Sequence, residues 1–270
     1  MNITRHKQIQ SFWDEQSNVY RDAQWIGSNI AKFDYAKTRK ALLRSLNPTK
    51  TDKILEIGCG PGTWTGLIAG RCSKIMAIDI SKKMIENAKK HIHDNNVTFI
   101  NSNFMHHAIG EKFDKIFSVR AFEYISAKEE FFRKVYFLLN PGGELILITK
   151  TKDSVWDLYK RLKKSLRLYN KNDFDEVRLY SWYDNIPPYL IKILLKRNRF
   201  SIKNISPVII RFPIFMNGND EIPFVPEKLE HIALRIFDIF SENLSEKSTQ
   251  VPLLLSESYI IHAIKKGHQN

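Results

Sequence analysis

The chain has only two cysteines in 270 residues, Cys59 and Cys72. Their spacing fits neither a zinc site nor a redox pair, so neither a disulfide framework nor a cysteine metal centre is suggested. Long hydrophobic runs are also missing. No apolar stretch approaches the ~18 residues of a membrane span, and the opening MNITRHKQIQ is too polar for a secretory signal. Repeats and low-complexity tracts are absent as well. These absences lead to the expectation of a cytoplasmic globular protein, and 43% hydrophobic with 26% charged residues agrees with that class.

Positive charge is plentiful, with a net charge of +13 and uneven placement. Residues 151–211 carry 14 Lys/Arg against 6 Asp/Glu, whereas residues 212–270 carry 5 against 8. The density in the middle of the chain favours an anionic partner. Its centre is a basic amphipathic helix expected over 153–170, with Val155, Leu158, Leu162 and Leu166 on one side and Lys160, Arg161, Lys163, Lys164 and Arg167 elsewhere. It reads as a solvated face, or as a contact for an anionic surface or phosphorylated substrate. No nucleic-acid module is recognisable.

Over residues 53–150 strand and helix patterns alternate. Apolar runs at 53–58, 74–79, 96–101, 113–119 and 143–149 read as buried strands, and the amphipathic stretches between them read as helices. One begins at Ser81, an N-cap, with Met84, Ile85 and Ala88 as its stripe; AKEEFFRKVYFLLN is another, closed by Pro141 and Gly142. Such alternation predicts a parallel sheet covered by helices. After Thr149 the rhythm loosens: a Pro-initiated helix in NIPPY, a strand in FSIKNISPVII, a further helix in EKLEHIALRIFDIF, and a last strand in ESYIIHAIKK.

The first strand ends in ILEIGCGPGTWT. Gly58 lets the chain turn, and Gly60 and Gly62 are expected to keep side chains away from a ligand. Dinucleotide folds space these glycines as GxGxxG. Here the third comes one residue early, and Glu56 lies inside the strand end. A carboxylate there opposes a pyrophosphate and suits a ligand bearing an ammonium group. The spacing therefore disfavours a nicotinamide oxidoreductase.

These residues resemble the first motif of the class I S-adenosylmethionine-dependent methyltransferases. The resemblance extends through MAIDIS, FINSNF, FDKIFSVRAFEYI and LLNPGGELILIT, covering residues 53–150 in order. It implies a seven-stranded, mostly parallel Rossmann-like α/β sheet with helices on both faces, the last strand antiparallel, and insertions after strands five and six. A single domain over 1–270 is expected, with an N-terminal lid (1–50), a cofactor core (53–150), strand six with substrate-recognition insertions (151–255), and the last strand (256–266). The implied co-substrate is S-adenosylmethionine. Its methionine end falls to Glu56, Gly58, Cys59, Gly60 and Gly62, with the Cys59 backbone N–H available to it. Its ribose falls to Asp79 and Ile80, since one carboxylate can accept from both hydroxyls. Asn103 matches the residue that holds the adenine amino group, and Phe104 could line the ring. Ser118 and Val119 would contribute backbone near the adenine and the methionine tail.

Trp13, Tyr20 and Trp25 precede the first strand and read either as core packing or as a lid placing an aromatic near the sulfonium, with Tyr20 the candidate. Glu123 and Tyr124, just past strand four, are candidates near the acceptor, although a helix-start role competes. His91, His93, His106 and His107 diverge too much for a metal site, so none is expected. The segment after strand four lacks the Pro-Pro-aromatic signature of amino-methylating enzymes. The expected acceptor is a small molecule, lipid or glycan precursor, methylated on O, N or C. An RNA or protein acceptor, or a non-catalytic partner subunit, is the alternative. Nothing in the sequence fixes an oligomeric state.

Overall fold

The computed structural model describes residues 3–150, 184–210, 229, 232, 234–236 and 256–267. The basic segment 153–170 lies outside them, as does the loop to residue 226. In the expected helix around residue 232, the described residues are helical.

Seven strands form one sheet: β1 (Lys53–Ile57), β2 (Lys74–Asp79), β3 (Val97–Asn101), β4 (Phe113–Val119), β5 (Leu139–Lys150), β6 (Phe200–Ile210) and β7 (Ser256–Lys265). The order is β3-β2-β1-β4-β5-β7-β6. The first five are mutually parallel, and β7 runs antiparallel between β5 and β6. Helices α1 (Ile3–Gln16), α2 (Asn29–Leu46), α3 (Thr63–Ala69), α4 (Lys82–His91), α5 (Lys128–Leu138) and α6 (Pro188–Arg197) accompany it. The mostly parallel sheet and its antiparallel last strand match the expected architecture.

The apolar runs form strands because both faces of the sheet are covered. On one face Leu55, Ile116, Leu145 and Ile261 meet Phe131, Phe132 and Val135 of α5 and Ile191 of α6. On the other, Ile54, Ile75, Phe117 and Ile146 meet Leu42 and Leu46 of α2 and Trp64 and Ile68 of α3. Each side chain of this kind, fully removed from water, contributes roughly 1.5–3 kcal/mol. Ser81 caps α4 by accepting from the Met84 N–H at 3.1 Å, and Met84, Ile85 and Ala88 are buried as the stripe required. The proline pair opens α6 with Pro188 in its first turn.

One boundary differs. The helix expected to run to Asn140 stops at Leu138, and β5 begins at Leu139, before the Pro-Gly-Gly turn. Leu139 pairs with Phe113, and the register then jumps so that Lys115 faces Glu144. The skipped residues bulge outward, with Gly142 at φ 75°. Asn140 Nδ2 donates to Asp114 Oδ1 at 2.7 Å across the bulge. A proline is tolerated in a strand where the ladder is interrupted in this way.

The sheet order reverses between β1 and β4: β2 and β3 lie to one side of β1, and β5 lies beyond β4. Open α/β sheets place their ligand cleft outside the carboxyl ends of the strands at such a switch point.

Candidate functional site

A cleft does open there. Its walls come from the ends of β1 (Ile57, Gly58, Gly60), β2 (Ile78, Asp79, Ile80), the turn after β3 (Asn103, Phe104) and β4 (Val119, Arg120). Helix α1 and the turn after it close the top with His6, Ile9, Trp13 and Tyr20. Its empty space is about 860 Å³ counting the open mouth.

The glycine turn uses its glycines for different purposes. All three have positive φ, 76°, 53° and 83° for Gly58, Gly60 and Gly62. A Cβ at Gly58 would lie 2.1 Å from the Ala121 Cβ, and one at Gly62 would lie 2.5 Å from the Ile92 Cδ1. Gly58 therefore admits the segment after β4, and Gly62 admits helix α4. The expectation that Gly62 clears space for a ligand is corrected: neighbouring protein fills that space. Gly60 faces the cleft, where a Cβ would meet only the Tyr20 ring, at 3.8 Å.

Asp79 ends β2 on the cleft wall. Its Oδ2 accepts from the Gly60 N–H and its Oδ1 from the Ser81 N–H, both at 2.8 Å. Burial raises its pKa, and these two donors oppose the rise. Each oxygen keeps a further lone pair for a ligand hydroxyl. Asn103 and Phe104 line the same end; Asn103 Oδ1 accepts from the Met105 N–H at 2.9 Å, fixing the turn. Ile80 and Val119 also line the cleft.

Besides Gly62, four expected residues lie off the cleft wall. Glu56 is buried in β1, where its Oε2 accepts from Thr65 Oγ1 at 2.5 Å and its Oε1 has no hydrogen-bond partner. Burial pushes its pKa up to about 8. Cys59 is buried against Ala77 and Ile85, and its backbone N–H donates to Ile78 O at 3.2 Å, so the donor expected to face a ligand is engaged within the sheet. Ser118 donates its hydroxyl to Ile57 O at 2.8 Å and ties β4 to β1. Glu123, a candidate near the acceptor, is 1% exposed and turns inward. Its Oε1 is 3.4 Å from Arg120 Nε, and its Oε2 accepts from Thr149 Oγ1 at 3.0 Å.

Tyr124, the other candidate, is on the cleft wall. Trp13 stands edge-on to both Tyr20 and Tyr124, with ring centroids 5.4 and 5.5 Å apart, so three rings from three segments form one aromatic wall. The alternatives for the N-terminal aromatics thus divide. Trp13 and Tyr20 face the cleft, while Trp25 is core, edge-on to Trp64 and Tyr35 beneath α2. Helix α1 is held over the cleft by Asp14, which accepts from Ser81 Oγ at 2.6 Å and from the Lys83 N–H at 3.1 Å at the start of α4.

Sequence reasoning missed His6 and Arg120. His6 sits in no motif, and Arg120 lies inside FDKIFSVRAFEYI without being one of the residues that the motif singles out. His6 reaches the cleft from a helix distant in sequence and meets His106 edge to face at 5.7 Å. Arg120 takes φ 60° just past β4, where its N–H donates to Ile148 O at 2.8 Å. An arginine in a left-handed conformation is uncommon, and such residues cluster at functional sites. No histidine, cysteine or acidic group of three or more could hold a metal among the described residues.

The sheet order and the cleft at its switch point define a Rossmann-like α/β domain, and comparison with known proteins refines that class. Residues 54–143 match a family described as methyltransferase domain. Over 159 residues the chain is 30% identical to malonyl-(acyl-carrier protein) O-methyltransferase 1 of Ilyobacter polytropus, covering 53% of this chain and 59% of that one. Over 127 residues it is 32% identical to trans-aconitate 2-methyltransferase of Afipia carboxidovorans, covering 46% and 49%. The chain thus spans about half the length of the curated relatives it matches. The crystal structure of magnesium protoporphyrin IX methyltransferase from Synechocystis PCC 6803 with bound SAH superposes with a TM-score of 0.61 over 97% of this chain and 100% of that one, at 15% identity. The family match is confined to residues 54–143, and over nearly its whole length the chain shares its fold with S-adenosylmethionine-dependent methyltransferases of known structure.

Proposed function

We propose that the protein is an S-adenosylmethionine-dependent methyltransferase acting on a small molecule. The observation that carries the reading is the division of the switch-point cleft. One end offers a carboxylate already oriented by two backbone N–H groups, and the other offers an aromatic wall. The residues fit the donor on independent grounds. Glu56 Oε1 is a buried acceptor without a partner, one residue from the cleft, and an ammonium group would supply its missing donor. Gly60 leaves open space on the cleft side. Asp79 suits a ribose diol, and Asn103 and Phe104 suit an adenine.

S-Adenosylmethionine would bring a methyl group already activated by a sulfonium charge. The chain's own task is then to align an acceptor and exclude water, and orientation of this kind supplies up to roughly 7–11 kcal/mol. The rings of Trp13, Tyr20 and Tyr124 favour a cation near their faces. The names of the relatives support a small-molecule acceptor, and the positive charge over 151–211 favours an anionic acceptor or surface. A cytoplasmic setting belongs to the same proposal; no helix among the described residues is long and apolar enough to cross a membrane.

Calorimetric titration with S-adenosylmethionine and S-adenosylhomocysteine tests the reading. Binding is expected in the wild type and is lost in Asp79→Ala and Gly60→Arg. A wild type that binds neither ligand ends the proposal. An RNA acceptor would instead show RNA binding that falls steeply with salt.

A further inference from the structure

Resting on the methyltransferase reading, we infer that Lys134 of α5 is a positioning residue for the donor, pinning the turn after β3 from behind so that Asn103 and Phe104 meet the adenine in a fixed arrangement.

That turn needs a second support. β3 is the edge strand of the sheet, with a neighbouring strand on the β2 side alone. The start of the turn is tied to that neighbour: the Ser102 N–H donates to Asp79 O at 2.9 Å, and Asn101 Nδ2 donates to Asp79 O and Ile80 O at 3.1 and 3.0 Å. The turn then closes on Asn103, whose backbone carbonyl accepts from the His106 and His107 N–H groups at 3.0 and 2.9 Å. Its Oδ1 accepts from the Met105 N–H. Like the last carbonyls of a helix, those of Phe104 and His107 are left for a donor outside the turn. Lys134 Nζ supplies it, at 2.5 and 2.6 Å.

The same ammonium lies 4.7 Å from the centroid of the Phe104 ring, within reach of a cation–π contact. Phe131 meets that ring edge to face at 5.7 Å, and residues three apart share a helix face. Two side chains of α5 therefore fix the ring that lines the donor end of the cleft. Lys134 has no carboxylate partner among the described residues, and burial lowers its pKa. An ammonium drawn partly out of water without a counter-ion weakens a fold unless its donors are used. Here two of them are used by carbonyls of a single turn. Helix α5 repeats the device at its start: Lys128 Nζ donates to Phe122 O at 2.7 Å and lies 4.0 Å from the Phe122 ring centroid, and that ring packs on Phe131 at 4.9 Å. Two lysines of one helix thus hold the segments after β3 and after β4, on either side of the cleft.

The consequence is selectivity for the base. Adenine presents an amino donor beside a ring acceptor, and hypoxanthine reverses the pair, with a carbonyl beside a ring N–H. With Oδ1 turned to the Met105 N–H, the Asn103 amide has one orientation and can favour one base while the turn is held. A loose turn lets the amide rotate and serve both. The pinned turn therefore raises affinity for adenine and also the preference for adenine over hypoxanthine. A lysine that only stabilised the fold would change the two affinities together.

The test titrates S-adenosylhomocysteine and its inosine analogue, S-inosylhomocysteine, into the wild type and its variants by calorimetry, with thermal unfolding beside it. The wild type is expected to bind the adenine ligand at least about 10-fold more tightly than the hypoxanthine one. Lys134→Met should weaken the adenine ligand about 10-fold, as for a lost charge-assisted bond, and narrow the preference to within about 3-fold. Lys134→Arg keeps the charge and the donors and should restore most of both. Arg133→Met removes the neighbouring charge, whose side chain is exposed, and should behave as the wild type. If Lys134→Met does not fold, Lys134→Gln is read in its place with the same expectation. A variant at Lys134 that binds both ligands as the wild type does overturns the inference and leaves the methyltransferase reading standing. So does an equal loss for the two ligands, an Arg133→Met variant that loses as much, or a wild type that binds the two alike. Failure of the wild type to bind either nucleoside overturns both.

Discussion

The two ends of the cleft are built by different means. At the donor end, contacts come from backbone and strand termini: the Gly60 and Ser81 N–H groups on Asp79, and the Asn103 turn after β3. At the end proposed for the acceptor they come from two segments far apart in sequence, with Trp13 and Tyr20 before β1 and Arg120 and Tyr124 after β4. A backbone cradle tolerates little change in its own sequence, whereas a side-chain wall can be rewritten while the sheet stays fixed. One end can thus keep one donor while the other changes acceptor.

The sharpest way to break this contrast is at the glycines. Gly58→Ala places a Cβ 2.1 Å from that of Ala121 at φ 76°. Overpacking and left-handed strain together should cost roughly 2–5 kcal/mol in thermal or denaturant unfolding. Gly60→Ala meets only the Tyr20 ring and should cost about 1 kcal/mol, mostly from its backbone. Equal losses in the two variants would show that Gly58 is not held by contact with the segment after β4.

Glu56 comes next in size. In the folded chain its pKa is pushed up to about 8 by burial, whereas its ordinary value is 4.5. Between those values the folded state holds a proton that the unfolded state has lost, so stability falls as pH rises through this window. Glu56→Gln removes that slope and should be the more stable protein at pH 8. It should also bind S-adenosylmethionine at least about 30-fold more weakly, having lost a buried charge partner for an ammonium. Titrations at pH 6 and 8, paired with unfolding curves, read both effects. A variant with wild-type affinity would remove Glu56 from the donor site.

The donor end was the more legible in sequence for a physical reason. A strand end, a glycine turn and the next strand's acid are set by local backbone geometry, so ILEIGCGPG and MAIDIS carry their own spacing. Burial could not be read that way. Cys59 and Ser118 sit in the right motifs, yet their polar groups bond within the sheet, and Gly62 clears room for Ile92. The acceptor end has no such spacing to read. Trp25 and Tyr20 look alike in sequence; which one is core depends on Trp64 and Tyr35, brought in by α3 and α2. Of the two candidates after β4, Glu123 is buried while Tyr124 lines the cleft, a difference that their adjacent positions do not show.

Helix α1 supplies a smaller, pH-dependent effect. His6 sits in α1 against His106, and its pKa is lowered by burial first and then by His106, Arg5 and the N-terminus; Lys7 shares the recess. Every neighbour named is a cation or can become one. The closed arrangement holds His6 neutral, so its contribution is complete above pH 6.5 and is lost as pH falls through the depressed value. Affinity for S-adenosylhomocysteine should therefore drop on acidification from pH 7 to 5.5, and His6→Gln should flatten that limb. A profile identical in the two proteins would separate the effect of helix α1 from this histidine.

The smallest effect lies far from the cleft and tests what makes Arg120 different. Arg199 has nearly the same backbone, φ 62° against 60°, between α6 and β6. It accepts from the Lys266 N–H at 3.2 Å and lines no part of the cleft. Glycine there relieves left-handed strain but adds freedom to the unfolded chain, so Arg199→Gly should gain only about 0.5–1 kcal/mol and leave acceptor kinetics as they were. Arg120→Gly relieves the same strain but leaves the buried Glu123 carboxylate without its cationic partner, so it should lose roughly 3–5 kcal/mol in unfolding where Arg199→Gly gains. A gain of stability in both variants would show that the Arg120–Glu123 pair contributes nothing to the fold.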